Sequence, residues 1–399
     1  MKVVIIHQHD PGAAHVGGIQ TFLNTFIKYA PADFSIDLVG VTTDPARRPV
    51  GRWQEIQAGG KGYRFLPVIA AQPNLRGFLP VTLRLASGVR RHWNQIDFRN
   101  AVLELHRVEP ALALGGLKNP KVLFLHAHSK DLYNPKTEAL WRKAPAAYGW
   151  LESRLIRGMS HIYIVRQDAV EFYRKRYPLL AGRISFLPTW VDEEVFVSLP
   201  EAERGRIRAE LARAHGFPAA DRLLLFVGRF DGQKDPLRLM ESFRWLRCSL
   251  PSIRLVMIGE GKMEGQIRQF IREHRLEDGV RILGPQPQQE LARWMNAADC
   301  LVLSSAYEGM PRVVVESLHA GLPVCSTDAG EARRLIGDSA GGRIVTEPSA
   351  EAFGKAVLDL LGDLPSREAC REQAAPFTAR RILRQVYALY QGLSGELVR

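Results

Sequence analysis

The sequence predicts an α/β protein made of two doubly wound domains, and three observations carry that expectation. A chain of 399 residues is longer than one ordinary core organises, which points to two domains. Short β-branched runs alternate with helical stretches almost throughout. Those runs are continuously apolar rather than alternating, as parallel strands covered on both faces are.

In chain order, the expected strands of the first half are VVIIH (3–7), SIDLVGV (35–41), YRFLPVI (63–69), KVLFLH (121–126), HIYIV (161–165) and ISFLP (184–188). Those of the second half are LLLFVG (223–228), IRLVMIG (253–259), VRILG (280–284), CLVLSS (300–305) and LPVCST (322–327). Between the two series, TWVDEEVFVSLPEAERGRIRAE (189–210) carries no strand pattern and turns acidic. The expected domains are therefore 1–190 and 191–375, followed by a helical segment at 376–399. Neither an internal repeat of 20–50 residues nor a low-complexity segment interrupts them.

With 46% hydrophobic and 24% charged residues, the composition is that of a soluble globular protein. No apolar run approaches the roughly 18 residues of a transmembrane helix. The opening MKVVIIHQHD turns polar too soon for a signal peptide and reads as a first strand. Cys248, Cys300, Cys325 and Cys370 lack metal-ligand spacing and suit a reducing compartment, so a cytoplasmic location is expected. The net charge of +12 favours anionic partners. It is uneven: residues 47–107 hold eleven Lys or Arg against Glu55, Asp97 and Glu104, an excess of eight.

Two stretches combine chemistry-bearing residues. In LLLFVGRFDGQKDPLRL a strand runs into Gly228, with Arg229 and Lys234 before a helix opens near Asp235-Pro236. Ligands of open α/β sheets bind at the carboxyl ends of strands. There a glycine admits close backbone approach, and Arg and Lys are donors for phosphate oxygens. A turn with two solvated cations is the plainer alternative. In SSAYEGMPRVVVESLHAGLPV (304–324) a strand ends at Ser305, and Glu308 and Gly309 form a loop. Pro311 then suits a helix's first turn, whose free N–H groups attract anions. Glu316 follows within an apolar helix, where a carboxylate can accept from a diol such as a ribose. One capping and one exposed glutamate is the alternative there. Together the cations and carboxylates are the inventory of a nucleotide-sugar site.

Arg229 to Lys234, then Glu308 and Glu316, AGLPV and STDAGE resemble the retaining glycosyltransferases of the GT4 type, with the GT-B fold. GGIQTF (17–22), FLPTWVDEEVF, IGEGKMEGQI and GGRIVTEPSAEAF fall in that family's order along essentially the whole chain. The resemblance implies two Rossmann-like domains facing a cleft and a hexosyltransferase moving sugar from a UDP- or GDP-linked donor to a glycan or lipid-linked acceptor. Arg229 and Lys234 would then hold the diphosphate, Glu316 the ribose, and Glu308, Gly309 and Met310 the sugar. Gly17, Gly18 and the helix start at Pro311 would admit the diphosphate closely. His126, or alternatively His128, would lie near the transferred sugar. The transfer would retain configuration, with acceptor in the first domain, donor in the second, and the last helix crossing back to the first. No cofactor or metal is implied, and the chain has no Asp-x-Asp pair.

The chain departs from the family pattern at two places. His15 and Val16 precede the glycine pair, with Asp10 further back, and Arg166 stands where the family commonly has serine. Both bear on acceptor contacts.

In FLPVTLRLASGVRRHWNQI (78–96), Val81, Leu85, Val89 and Trp93 fall on one helical stripe, with Arg84, Arg90 and Arg91 off it. Such a helix can lie on an anionic membrane surface, here the inner face, or simply turn its stripe to the core. Three rival functions are weaker. A dehydrogenase would use Gly259, Gly261 and Gly265, but their G-x-G-x-x-x-G spacing is one residue too long and no acid ends the next strand. A nucleotide-sugar epimerase shares the GT-B fold. An inactive nucleotide-sugar-binding module would normally have lost one of Arg229, Lys234, Glu308 and Glu316. Nothing beyond charge suggests nucleic-acid binding.

Overall fold

A computed structural model describes residues 1–12, 18–71, 79–126, 141, 144–337 and 340–398. The chain forms two compact units, one of Met1–Pro188 with Ala379–Arg399 and the other of Thr189–Thr378. These boundaries differ by two or three residues from 190/191 and 375/376. The two crossing segments run side by side: Val191 pairs in parallel with Thr378, and its N–H donates to Phe377 O at 3.0 Å.

Unit 1 carries β1 (Lys2–Ile6), β2 (Ser35–Thr42), β3 (Gln54–Ala58), β4 (Lys61–Ala70), β5 (Ala101–Leu105), β6 (Lys121–Leu125), β7 (His161–Ile164) and β8 (Ile184–Phe186). Their order is β3-β4-β2-β1-β5-β6-β7-β8, parallel except for β3, which pairs antiparallel with β4. Helices α1 (Gly18–Tyr29), α2 (Val81–Arg91), α3 (Pro145–Ile156) and α4 (Gln167–Arg176) connect them. Val3, Val4, Ile5 and Ile6 have no exposed surface, as an unalternating central strand requires.

Unit 2 holds β9 (Arg222–Val227), β10 (Ile253–Ile258), β11 (Val280–Leu283), β12 (Cys300–Leu303), β13 (Val324–Thr327) and β14 (Gly342–Val345). They form one parallel sheet in the order β11-β10-β9-β12-β13-β14. Helices α5 (Glu201–His215), α6 (Pro236–Ser249), α7 (Glu264–Glu273), α8 (Gln288–Ala297), α9 (Arg312–His319), α10 (Ala332–Ile336), α11 (Ala350–Gly362) and α12 (Arg367–Ala374) belong to it. Ser349 and Ser366 cap α11 and α12 by accepting from the N–H groups of Ala352 and Ala369, each at 3.1 Å. The last helix, α13 (Ala379–Val398), belongs to unit 1, where Tyr387 donates to Phe26 O at 2.6 Å.

All eleven expected strands form; β3, β5 and β14 were not expected. Polar residues explain β3, an edge strand reading Gln-Glu-Ile-Gln-Ala. In β5, Glu104 interrupts the apolar run, and β14 is four residues long with an arginine inside. The basic segment forms α2 and a 3-10 turn at Trp93–Gln95. Leu85 and Val89 are buried in the core, with Val81 and Trp93 packed against it. The apolar stripe is thus core-facing, while Arg90 and Arg91 remain exposed.

Candidate active site

In unit 2 the strand order reverses at β9 and β12, which lie side by side although two strands separate them in the chain. In open α/β sheets, ligands bind beyond the carboxyl ends of the pair at which the strand order reverses. The loop after β9 carries Arg229 and Lys234; that after β12 carries Glu308. Main-chain and hydroxyl contacts lace the two loops together. Ala306 N donates to Gln233 O at 2.8 Å, and Ser304 Oγ donates to the carbonyls of Lys234 and Asp235 at 3.0 and 2.9 Å. Asp235 is held there with φ of 47°, a left-handed conformation costly for a residue with a side chain.

Lys234 Nζ lies 2.5 Å from Glu308 Oε1, and Ser305 Oγ donates to the same oxygen at 2.7 Å. Gln233 Nε2 reaches Glu308 Oε2 at 3.4 Å. Both charged groups are largely buried, at 14% and 8% side-chain exposure, so each offsets part of the other's desolvation. Arg229 is more open, at 56%. It donates to Asp231 Oδ2 at 2.8 Å and Gln233 Oε1 at 2.7 Å. Asp231 Oδ1 accepts the N–H groups of Gln233 and Lys234, each at 3.1 Å, and so shapes the loop. Asp231, Gln233 and Ser305 were not singled out in the sequence, although an aspartate three residues before a lysine in a turn is a recognisable signal.

Neighbouring loops approach this pair through glycines. Gly330 has φ of 58°, and a Cβ there would stand 2.3 Å from Gly309 O and 2.5 Å from Glu308 O. The STDAGE segment therefore closes directly on the Glu308 loop, and Glu331 N donates to Gly309 O at 3.1 Å. Gly259 and Gly261 do the same for the loop after β10: a Cβ would stand 2.0 Å from Gly228 O and 2.4 Å from Phe230 O. Gly265 meets nothing within 4 Å. The G-x-G-x-x-x-G spacing thus serves packing against the β9 loop.

Pro311 is extended and precedes α9, which begins at Arg312; no side-chain hydrogen bond caps this helix. Glu308 is therefore not a cap, and Glu316 is buried rather than exposed. Arg312 donates to Glu316 Oε1 through Nε and Nη2 at 3.4 and 3.3 Å. Burial pushes the Glu316 carboxyl above its usual range and nearby Asp192 adds to this, while Arg312 opposes it. Arg312 Nη1 is buried without a hydrogen-bond partner among the described residues. Met310 is buried, and its sulfur accepts the Thr189 N–H at 3.1 Å. His319 joins α9 to the entry segment, with Nδ1 2.6 Å from Phe196 O.

In unit 1, Gly17 and His128 lie outside the described residues. Gly18 opens α1, and a Cβ there would meet nothing within 4 Å. Asp10 anchors the preceding loop: it accepts from Gly12 N at 3.0 Å and from Thr43 N and Oγ1 at 2.6 Å each. It also pairs with Arg48, whose Nε lies 2.7 Å from Oδ1. These bonds hold the Asp10 carboxyl below its usual range despite burial. His126 follows β6 and pairs with a histidine the sequence reading did not single out: His106 Nδ1 lies 2.8 Å from His126 Nε2.

Three comparisons bear on this arrangement. A model of the family described as "Glycosyl transferases group 1" matches residues 207–376. The D-inositol 3-phosphate glycosyltransferase of Corynebacterium urealyticum is 30% identical over 98% of this chain and 96% of its own. The putative teichuronic acid biosynthesis glycosyltransferase TuaC of Bacillus subtilis is 26% identical over 76% of this chain and 72% of its own. Among solved structures, Anabaena HepE in complex with UDP-glucose superposes with a TM-score of 0.73 at 15% identity, covering 98% of this chain and all of that one. The architecture is GT-B.

Proposed function

The chain belongs to the group 1 glycosyl transferases, and from that premise we propose that unit 2 binds a nucleoside-diphosphate sugar and gives up its sugar to a hydroxyl. The observation that carries this is the Lys234–Glu308 pair at the strand-order reversal. A cation beside a carboxylate is what the junction of a diphosphate and a sugar calls for, which supports the reading. Arg229 and Lys234 neutralise the departing diphosphate, a stabilisation other transferases draw from a metal. Glu308, Gly309 and Met310 face the sugar, Glu316 the ribose, and the start of α9 near Pro311 the phosphates. Transfer proceeds with retention, the acceptor hydroxyl attacking on the face the diphosphate leaves, so no side chain has to act as a nucleophile. HepE holding UDP-glucose supports a nucleotide-sugar donor. TuaC's name, together with the basic surface, supports a glycan or lipid-linked acceptor. Gly18, with Gly17, is proposed to line the approach of the diphosphate, and His126 or His128 to serve the reacting sugar.

A panel of UDP- and GDP-sugars tests the donor reading by thermal shift. Ligand at 100 times Kd stabilises the folded state by about 2.7 kcal/mol, so one nucleotide series is expected to raise Tm clearly. Incubation without acceptor and analysis of the recovered sugar separates transfer from epimerisation. No shift with either series at millimolar ligand would remove the donor assignment.

We further propose a cytoplasmic protein that meets the inner membrane face by charge. With the stripe of α2 turned inward, attraction rests on arginines such as Arg90 and Arg91, each near an anionic surface contributing about 1 kcal/mol. The Arg90→Glu/Arg91→Glu variant is expected to lose flotation with vesicles containing phosphatidylserine while retaining Tm. Equal flotation of wild type with neutral and anionic vesicles would sink the idea.

A further inference from the structure

Three neighbouring parallel strands of unit 1 end in the same way: Ile6-His7, Leu105-His106 and Leu125-His126 follow β1, β5 and β6. From the last of these a hydrogen-bonded chain runs into the core. His126 Nε2 meets His106 Nδ1 at 2.8 Å, with the rings stacked 10° from parallel. His106 Nε2 meets Glu104 Oε1 at 2.9 Å. Tyr390, on α13, donates to Glu104 Oε2 at 2.5 Å. Glu104 and Tyr390 have no exposed surface and His106 has 1%, whereas His126 is only partly buried.

Each neutral imidazole has one N–H and one lone pair, so the direction of every bond in this chain depends on the next. Burial lowers His106 to about 3, which keeps it neutral. Around the chain stand His7 and His9 beyond β1, Arg107 next to His106, Tyr163 on β7, and Tyr387 beside Tyr390. His7 and His9 are also lowered by burial. Among the described residues no lysine or arginine pairs with Glu104, and burial pushes its carboxyl up to about 8, with the Tyr390 hydrogen bond opposing.

We infer that Glu104, acting through His106, decides whether His126 presents a lone pair or an N–H at Nδ1. When Glu104 is ionised, Oε1 accepts from His106 Nε2–H, His106 Nδ1 accepts from His126 Nε2–H, and His126 Nδ1 carries the lone pair. A proton taken up at His126 Nδ1 releases the Nε2 proton to His106 Nδ1. His106 in turn passes its Nε2 proton to Glu104 Oε1. The balance is one proton gained, both rings neutral throughout, and the buried carboxylate discharged. Glu104 and His106 are positioning residues, and their use in transfer rests on the proposal that this protein is a sugar transferase acting near His126. They decide whether a hydroxyl facing that nitrogen finds an acceptor or a donor.

Ring-nitrogen NMR of the 15N-histidine-labelled full chain tests this directly between pH 6 and 9.5. In the wild type the His126 proton is expected to move from Nδ1 to Nε2 as pH rises through about 8. In Glu104→Gln it is expected to stay on one nitrogen throughout. Tyr390→Phe, which keeps the ring in the core, should shift the transition to higher pH, because the lost hydrogen bond favoured the carboxylate. The same inflection should appear in the wild-type pH profile of kcat and vanish in Glu104→Gln; a purely structural role lowers Tm and leaves the inflection in place. A His126 tautomer that ignores pH in the wild type, or that switches identically in Glu104→Gln, would overturn the inference. A switch without transfer from any nucleotide sugar would refute the transferase role alone, and transfer without a switch would refute the relay alone.

Discussion

Lys234→Ala is expected to lower kcat by about 100- to 1000-fold, the usual cost of removing one preorganised donor from the site of developing charge. In the proposed reaction this side chain would act where the diphosphate gains charge as the glycosidic bond breaks, so the loss should fall on turnover more than on donor affinity. The loop should survive. Its shape depends on Asp231 accepting the Lys234 N–H and on Ser304 donating to the Lys234 carbonyl, and alanine keeps both. What disappears is the ammonium beside Glu308, a carboxylate that still accepts from Ser305 and Gln233. Its partial orphaning costs about 1–3 kcal/mol of stability. Glu308→Gln in the same background removes the unpaired charge, so it should recover stability without recovering turnover. That split separates the structural from the catalytic share of the pair. A Lys234→Ala enzyme with near wild-type kcat under saturating donor would refute the diphosphate assignment.

Much of this site was legible in the sequence, because its residues sit in loops that follow strongly apolar strands. LLLFVG and CLVLSS announce β9 and β12, and the residues beyond them are then at carboxyl ends by construction. What the sequence could not show is that β9 and β12 are neighbours. Four of the strands in unit 2 lie to one side or the other of that pair, and only this adjacency brings Lys234 against Glu308. The hydrogen-bonded chain that starts at Glu104 in β5 is hidden in the sequence for a different reason. Glu104 makes the run Ala-Val-Leu-Glu-Leu look interrupted, since a charge inside a buried strand is rare unless partnered. Its partners, His106 two residues on and Tyr390 286 residues away, lie beyond any local window. The repeated apolar-His ending of three strands was the available signal. The stripe of α2 shows the converse. Its spacing marks one apolar face, but spacing cannot tell a membrane-facing stripe from a core-facing one, and here the core takes it.

Gly259→Ala should be the most damaging small substitution near the site, and its contrast with Gly265→Ala tests why the glycines are there. At Gly259 the backbone has φ of 145°, and a Cβ would stand 2.0 Å from Gly228 O. Neither atom can step aside cheaply, because Gly228 N donates to Ile258 O and Gly259 N to Leu283 O, both at 3.0 Å. The expected cost is about 2–5 kcal/mol, from one strained backbone conformation and one overpacked contact. Relief has to come from the β9 loop, whose next residues are Arg229 and Phe230, so donor affinity should fall together with stability. Gly265 lies in the first turn of α7 with nothing near its Cβ position. Alanine there should be neutral or stabilise by up to about 1 kcal/mol and leave donor binding unchanged. A dinucleotide fingerprint would instead need all its glycines for the ligand, and both variants would then lose binding at little cost to the fold. Denaturant unfolding of each variant, alongside the donor Kd, distinguishes the two: if Gly259→Ala keeps wild-type stability and affinity, the packing role assigned to this glycine is wrong.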